Sequence, residues 1–150
     1  MSIILVDCEA DGLCPGAGEL IESGAVELRS MKEFHGKVFT DGFALTFEAF
    51  SRWLADFAPP LTFVADNLAY DWQWINHGFA TTIGKNPFGH SGRNIKDFYA
   101  GIMLSFWNTQ EWKRLRTVPH DHNPVNDAKG NAIALKAIIE IGNKKLTGGR

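Results

Sequence analysis

Residues 2–15 read SIILVDCEADGLCP, and this stretch decides the fold. The four aliphatic residues at positions 3–6 predict a strand that is covered on both faces, because such a strand shows a continuous apolar run. The run ends at Asp7, and Glu9 projects from the same face of an extended chain. Two carboxylates at the end of a buried strand repel each other unless a cation lies between them. Hard divalent cations with oxygen ligands meet that need; a strand end that merely meets a polar loop is the alternative.

The composition predicts one globular domain over residues 1–150. The chain is 45% apolar, which is enough for a single core, and no repeat, low-complexity tract or linker divides it. It has no apolar run of 18 residues, so no membrane span is expected. No basic stretch precedes the first apolar run, which argues against a secretory signal. Cys8 and Cys14 are therefore interpreted as reduced thiols of a cytoplasmic protein.

The net charge of −2 gives no basic field of the kind that coats nucleic acid. It is compatible with an acidic site whose metal ions meet phosphates. The one notable basic cluster comprises Lys113, Arg114 and Arg116. A solvated surface is its first interpretation, and a contact with phosphate or with a partner is the alternative.

Apolar patterns along the rest of the chain predict an α/β domain. Further strands are predicted at residues 19–28, 32–39, 61–64 and 94–97, and helices at 43–57, 70–79, 99–103, 107–116 and from 124 onward. In the second strand, Gly24 marks a close backbone approach. The aromatic stripe of the first helix is interpreted as core, and Pro59-Pro60 end that helix.

The last helix has clear start and stop signals. Asn123 is the predicted cap and Pro124 the first helical residue. Gly142 and the Lys-rich segment after it predict the end of the helix, followed by a frayed tail from Leu146.

Acidic residues recur at the ends of these elements. Asp7 and Glu9 follow the first strand, Asp71 lies in the first turn of a helix, and Asp127 lies early in the last helix, five residues after His122. Strand ends and adjacent helices share one crevice in an α/β domain. Four carboxylates there fit two cations about 3.5–4 Å apart that bracket a phosphodiester. A histidine at the rim can accept a proton from water near neutral pH. For Asp71, interaction with the helix dipole is an alternative explanation.

Three stretches resemble the motifs of the DEDDh superfamily of 3′–5′ exonucleases. DCEADGLCP, from Asp7, is similar to the first motif, Asp-x-Glu-x-x-Gly-Leu-x-Pro. NLAYD, from Asn67, is similar to the second, and HNPVND, from His122, has the His, the four-residue gap and the Asp of the third. They occur in the order of the superfamily and span nearly the whole chain.

The resemblance implies a ribonuclease H-like fold, a mixed five-stranded sheet with helices on both faces. It also implies removal of nucleotides from a 3′ end with two Mg²⁺ or Mn²⁺ ions. Asp7, Glu9, Asp71 and Asp127 become the metal ligands, and His122 becomes the general base.

The resemblance also extends to substrate contacts. Leu13 matches an apolar wedge under the terminal base, and Asn67 would lie near the scissile nucleotide. Within the superfamily the chain is most similar to compact RNase AS-like exoribonucleases and to some phage and prophage exonucleases, which favours RNA slightly over DNA. An oligonucleotide phosphodiesterase and a non-catalytic nucleic-acid-binding module on the same fold are the alternatives.

Related compact exonucleases pair, so a homodimer is expected. In that dimer Lys113, Arg114 or Arg116 of one subunit would help to hold the strand at the site of the other.

The sequence departs from the motifs at a few positions. Ala10-Asp11 stands where hydroxyl residues are usual, and Asp66 stands where a histidine usually precedes the Asn. These departures bear on substrate choice. The remaining polar candidates are interpreted as rim, surface or structural residues: His120 at the rim, His35 at the surface beside a candidate bulge, Asp97 as structural, and Asp11 and Asp121 as solvated loop acids.

Overall fold

A computed structural model describes residues 1–148, which form a five-stranded sheet in the order β3-β2-β1-β4-β5. The strands are β1 (Ser2–Ala10), β2 (Leu20–Glu27), β3 (Glu33–Lys37), β4 (Leu61–Ala65) and β5 (Gly92–Asn94). The helices are α1 (Val38–Asp41), α2 (Phe43–Leu54), α3 (Leu68–Thr82), α4 (Ile95–Ile102) and α5 (Pro124–Thr147), with a 3₁₀ helix at Glu111–Leu115. Strands β1, β2 and β3 pair antiparallel, whereas β1, β4 and β5 pair parallel. The expected mixed sheet is confirmed.

A separate core covers each face of the sheet. Ile4 and Val6 of β1 face the core under α2 and α3, where the aromatic stripe of α2 is buried as predicted. Leu5 faces the other core, under α4 and α5. Because side chains alternate along a strand, Asp7 and Glu9 lie on the α5 side.

Strand β1 extends beyond its parallel neighbour. Residues 2–5 pair with Leu61–Val64 of β4, whereas pairing with β2 continues to Ala10. The predicted strand end at Asp7 is therefore wrong, because the antiparallel partner keeps the chain extended. The overhang leaves one edge of β1 open to side chains from the loop after β4, and this opening forms a crevice.

The start of α5 is fixed against β2. A Cβ atom on Gly24 would collide with the backbone of Pro124, so the predicted close approach is confirmed. The Asn123 side chain accepts hydrogen bonds from the backbone N–H groups of Val125 (3.1 Å) and Asn126 (3.2 Å), which confirms the cap. These contacts carry the first turns of α5 to the crevice.

The end of α5 differs from the prediction. The helix continues through Gly142 to Thr147, because one glycine costs a helix only about 1 kcal/mol. The Lys145 ammonium also donates to the Ile102 carbonyl (3.2 Å) and ties the last turns to α4. The predicted tail thus begins inside the helix, and its residues 149–150 lie outside the described residues.

Other differences concern short elements. The β2–β3 register is regular at His35, and the irregularity lies between Glu9 and Ala10. The strand predicted at 94–97 is wrong: β5 ends at Asn94, residues 95–97 begin α4, and Asp97 lies in the first turn of that helix. Only the 3₁₀ helix forms in 107–116, where the indole N–H of buried Trp112 donates to the Thr109 carbonyl (3.1 Å).

Two further expectations can be compared with the structure. Cys8 and Cys14 are free. Among residues 1–148, no helix combines the length and the apolar character that crossing a bilayer requires.

Candidate active site

Five carboxylates converge beside the overhanging end of β1. Asp7, Glu9 and Asp127 each offer an oxygen within 4.8 Å of the others, and Asp7, Asp66 and Asp71 form a second such set. Asp7 belongs to both sets. The structure therefore brings together the four predicted ligands and adds Asp66, which was not among the predicted ligands.

Asp71 reaches the site from the opposite face of the sheet. It lies in the first turn of α3 and is 2% exposed. Since β4 has ended at this level, the backbone N–H of Cys8 donates to Asp71 Oδ1 (2.9 Å). The helix dipole accounts for a carboxylate in the first turn. It does not account for the orientation of this carboxylate toward β1.

The carboxylates of β1 and α3 resist ionisation in this arrangement. The pKa of Asp7 is raised to about 9, first by burial and then by the charges of Asp71 and Asp127. Burial also raises the pKa of Asp71, with Asp66 as the next cause. The pKa of Glu9 is raised by burial as well, against an opposing effect of His122. A divalent cation removes this cost by neutralising the charges.

Asp127 is balanced differently, by two neighbouring side chains. Arg116 Nη2 donates to Asp127 Oδ1 (2.6 Å), and the side chains of the pair are only 8% and 1% exposed. His120 Nδ1 lies 2.7 Å from Asp127 Oδ2, but the contact is not aligned as a hydrogen bond. Oδ2 is thus a buried oxygen without a donor among the described residues. The oxygen donors and this free atom together fit a hard divalent cation.

Sequence reasoning missed both partners of Asp127. His120, interpreted as a rim residue, is 55% exposed and lines the cleft, and its contact with Asp127 is what the sequence did not indicate. One signal was available for Arg116. Gly130 follows Asp127 by one turn, and a Cβ atom there would lie 2.7 Å from Arg116 Nε. The glycine therefore makes room for the arginine against α5.

His122 lies at the rim of the site, as predicted. Its side chain is 76% exposed, and Nδ1 lies 3.7 Å from Glu9 Oε1. The backbone adopts a φ of 59°, an uncommon conformation for a residue other than glycine. The ring centroid lies 4.6 Å from that of His120. Two imidazoles therefore adjoin the carboxylates, one at Asp127 and one at Glu9.

Four of the carboxylates, those of Asp7, Glu9, Asp66 and Asp71, line a cleft of about 370 Å³. Lys96, Thr109 and Lys113 line the same cleft. Lys113 therefore faces the site of its own chain. The buried pairing of Arg116 with Asp127 shows that the basic cluster is not one solvated surface, and the expectation that Arg116 reaches the site of a second subunit is wrong.

The two predicted substrate residues lie in different settings. Asn67 lines the cleft at the end of β4. Leu13 is 83% exposed, and Gln73 of α3 donates to its carbonyl (2.7 Å), which fixes the loop after β1. The structure does not place Leu13 among the residues that line the cleft.

Two of the other acids stabilise loops, as expected. Asp11 accepts a hydrogen bond from the backbone of Glu19 (2.6 Å). Asp121 accepts from the backbone of Asn123 (3.1 Å) and from the side chain of Asn126 (2.8 Å).

Comparisons with known proteins agree with this geometry. No protein-family model matches the chain. Over 90 residues, 57% of its length, the chain is 30% identical to the 3′–5′ DNA exonuclease Cap18 of Escherichia coli. The match covers 48% of Cap18, so the chain spans about half the length of the curated relative that it matches.

A solved structure shares the fold over almost its whole length. The nuclease domain of 3′hExo, a DEDDh family member crystallised with rAMP, superimposes with a TM-score of 0.67. The similarity covers 93% of this chain and 92% of that chain at 14% sequence identity. At this identity the likeness shows the fold alone, and that fold is the mixed sheet with helices on both faces described above.

Proposed function

We propose that this chain is a member of the DEDDh 3′–5′ exonuclease superfamily and hydrolyses phosphodiester bonds from the 3′ end of single-stranded nucleic acid. Its partial similarity to Cap18 and its fold support the proposal. The observation that carries the proposal is the pair of carboxylate sets that share Asp7. Without a cation, the raised pKa of Asp7 leaves this carboxyl protonated at neutral pH. Such a site gains free energy when a divalent cation replaces the proton.

Two Mg²⁺ or Mn²⁺ ions are the proposed cofactors. Asp7, Glu9 and Asp127 would hold one ion, and Asp7 with Asp66 and Asp71 would hold the other. When bound, the ions supply a water of lowered pKa and stabilise the leaving oxygen. Because Arg116 occupies Oδ1 of Asp127, that carboxylate offers Oδ2.

His122 is the proposed proton acceptor. It is largely exposed and lies next to Glu9, whereas the His120 ring is engaged with Asp127. A general base of this kind contributes about 10²–10⁴-fold to a rate. We therefore expect His122→Ala to lower kcat by that order while leaving Mn²⁺ affinity, measured by calorimetric titration, unchanged. A full rate for His122→Ala would move the role to another group.

The substrate would enter past Lys96 and Lys113, which line the cleft and whose charges suit phosphates. Its 3′ nucleotide would lie between Leu13 and Asn67. A preference for RNA stays a prediction from resemblance; Cap18 is named as a DNA exonuclease, and the 3′hExo domain was crystallised with rAMP. Discrimination depends on a contact to the 2′-OH.

Degradation of matched strands tests the function. Single-stranded RNA and DNA of one sequence, labelled at the 5′ end, are incubated with the chain in Mg²⁺, in Mn²⁺ and in EDTA. We expect a ladder that shortens from the 3′ end with either metal, no reaction in EDTA, and no reaction on a strand whose last nucleotide is inverted. Cleavage of the inverted strand would show an endonuclease.

The same assay separates the alternatives. Hydrolysis of dinucleotides without hydrolysis of longer strands would identify an oligonucleotide phosphodiesterase. Saturable Mn²⁺ binding and strand binding without any hydrolysis would identify a non-catalytic module.

A homodimer stays a prediction. Lys113 and Arg114 are exposed and are the members of the basic cluster that such a dimer could use. Light scattering at micromolar concentration measures the mass directly, and a monomer mass would end this prediction.

A further inference from the structure

The turn after α4 carries three exposed apolar side chains. Leu104, Phe106 and Trp107 are 94%, 81% and 86% exposed; we call residues 104–107 the aromatic turn. Isolated exposed apolar residues are ordinary in a folded protein. Three within four residues form a contiguous patch, which is typical of a surface that binds something.

The aromatic turn is held in place by its own backbone. The N–H of Ser105 donates to the Ala100 carbonyl (2.9 Å), and that of Asn108 donates to the Ser105 carbonyl (3.1 Å). Leu104 has a φ of 52°, a left-handed conformation that is costly for leucine. The conformation and the exposure of Leu104 both cost free energy. No packing contact of its side chain within the described residues offsets that cost. Such costs are found where a surface serves binding.

The two aromatic rings leave faces open for stacking. The centroids of Phe106 and Trp107 lie 5.1 Å apart, and the ring planes are 86° from parallel. Perpendicular rings do not cover each other face to face, so each retains an open face. Nucleobases of any sequence stack on such faces.

The aromatic turn is continuous with the carboxylate cleft. It borders a groove of about 550 Å³ whose lining includes Asp97 and Thr109. Thr109 also lines the carboxylate cleft, together with Lys113 and with Lys96, the neighbour of Asp97 in the chain. A strand leaving the cleft on this side would first meet two ammonium groups and then two aromatic faces. That order of charge and aromatic surface suits a single-stranded nucleic acid.

We propose that the aromatic turn stacks the bases of a single strand a few nucleotides upstream of the 3′ end that the cleft holds. The placement of the 3′ end rests on the proposed function. The stacking of bases on Phe106 and Trp107 rests on the turn itself.

Binding to a strand that is not consumed tests the proposal. In the full chain with Asp7→Asn, a change expected to suppress hydrolysis, and in EDTA, fluorescence anisotropy measures the Kd of a ten-nucleotide single strand. We expect Trp107→Ala to raise that Kd about tenfold, as the loss of one stacked base would. Trp107→Tyr should keep most of the affinity. Phe39→Ala is the matched control, because Phe39 is 89% exposed but follows β3 at the other edge of the sheet.

Photocrosslinking adds a direct readout. A strand with 5-iodouracil a few nucleotides from its 3′ end should crosslink to residues 104–107, as mapped by mass spectrometry. Equal Kd values for Trp107→Ala and Phe39→Ala, or crosslinks elsewhere, would overturn the proposal. So would a shift from dimer to monomer on Trp107→Ala without crosslinking, since the turn would then join two copies of the chain.

The two proposals fail separately. If the unaltered chain hydrolyses strands and Trp107→Ala binds them normally, the proposed function stands and the stacking role falls. If the chain hydrolyses nothing but binds strands through Trp107, the stacking role stands and the proposed function falls.

Discussion

The carboxylates of β1 and α3 and the carboxylate of α5 line the same site, yet their charges are balanced in different ways. Among the described residues, no cationic side chain pairs with Asp7 or Asp71, and the pKa of each is raised. Asp127 has a buried guanidinium on one oxygen and an imidazole beside the other. The sheet side of the site thus requires a cation from solution, whereas Asp127 on the α5 side has the Arg116 guanidinium as its cationic partner.

This difference separates folding from metal binding. Because Arg116 neutralises Asp127, the first turns of α5 can pack on β2 before any ion binds. The carboxyl groups without a cationic partner lie on β1 and α3, and binding of an ion there releases the most free energy.

The largest effect is expected from Asp7→Asn, because Asp7 belongs to both carboxylate sets. Hydrolysis in Mg²⁺ should fall at least about 10³-fold, the order seen when one group that stabilises charge in the transition state is removed. The free energy of unfolding in EDTA at pH 8 should rise, since the folded state no longer has to hold a proton that the unfolded chain releases at this pH. Urea unfolding and the strand assay measure the two effects. Asp56→Asn, at an exposed position, is the control, and full activity of Asp7→Asn would remove Asp7 from the site.

The next effect in size is expected from Arg116→Leu. It leaves the buried carboxylate of Asp127 without its partner, which should cost about 3–5 kcal/mol of unfolding free energy in EDTA. Mg²⁺ should restore part of the loss, because an ion can take over the role of the guanidinium. Arg114→Leu is the matched control: the Arg114 side chain is 67% exposed and lies 3.7 Å from Glu111, a type of pair worth about 0–1 kcal/mol. Equal losses in the two variants would contradict the comparison.

The sequence shows one side of this comparison far better than the other. Asp7, Glu9, Asp71 and Asp127 lie on elements whose hydrophobic periodicity is clear, and their spacings match three motifs. Position within a strand or a first helical turn then fixes which way each side chain points. The convergence of these four carboxylates, the sheet and most helices follow from local pattern.

Arg116 shows what local pattern cannot supply. It follows a 3₁₀ helix in a segment without regular periodicity, and its partner Asp127 lies 11 residues away across a loop. The extension of β1 to Ala10 likewise depends on pairing with β2, which residues 7–10 alone do not encode. Asp66 was missed for a different reason. It replaces the histidine of the motif, so the motif gives it no role. Its position directly after β4 nevertheless places its carboxylate in the crevice.

The pH dependence of stability is expected to have an unusual sign. The folded pKa of Asp7, about 9, lies above its ordinary value of 3.8, so the folded state holds a proton that the unfolded state releases between these limits. In EDTA, the free energy of unfolding should therefore fall as pH rises from about 4 to 9, by at most about 1.4 kcal/mol per pH unit for this one proton.

Urea unfolding at pH 5, 7 and 8.5 measures this slope. Asp7→Asn should flatten it, and saturating Mg²⁺ should stabilise the chain more at pH 8.5 than at pH 5, because the ion binds the ionised carboxylates. A slope that Asp7→Asn leaves unchanged would show that Asp7 is not the group responsible.

The smallest effect is expected from His120→Ala, and it compares the two partners of one carboxylate. Arg116 is buried on Oδ1, whereas His120 is 55% exposed beside Oδ2, so its loss should cost less than about 1 kcal/mol. Because His120 then no longer competes for Oδ2, calorimetric titration should show Mn²⁺ binding unchanged or a few-fold tighter, with His90→Ala as the control. Weaker binding would make His120 a ligand. Tighter binding would mean that the ion binds Asp127 Oδ2, which His120 adjoins, while Arg116 stays bound to Oδ1.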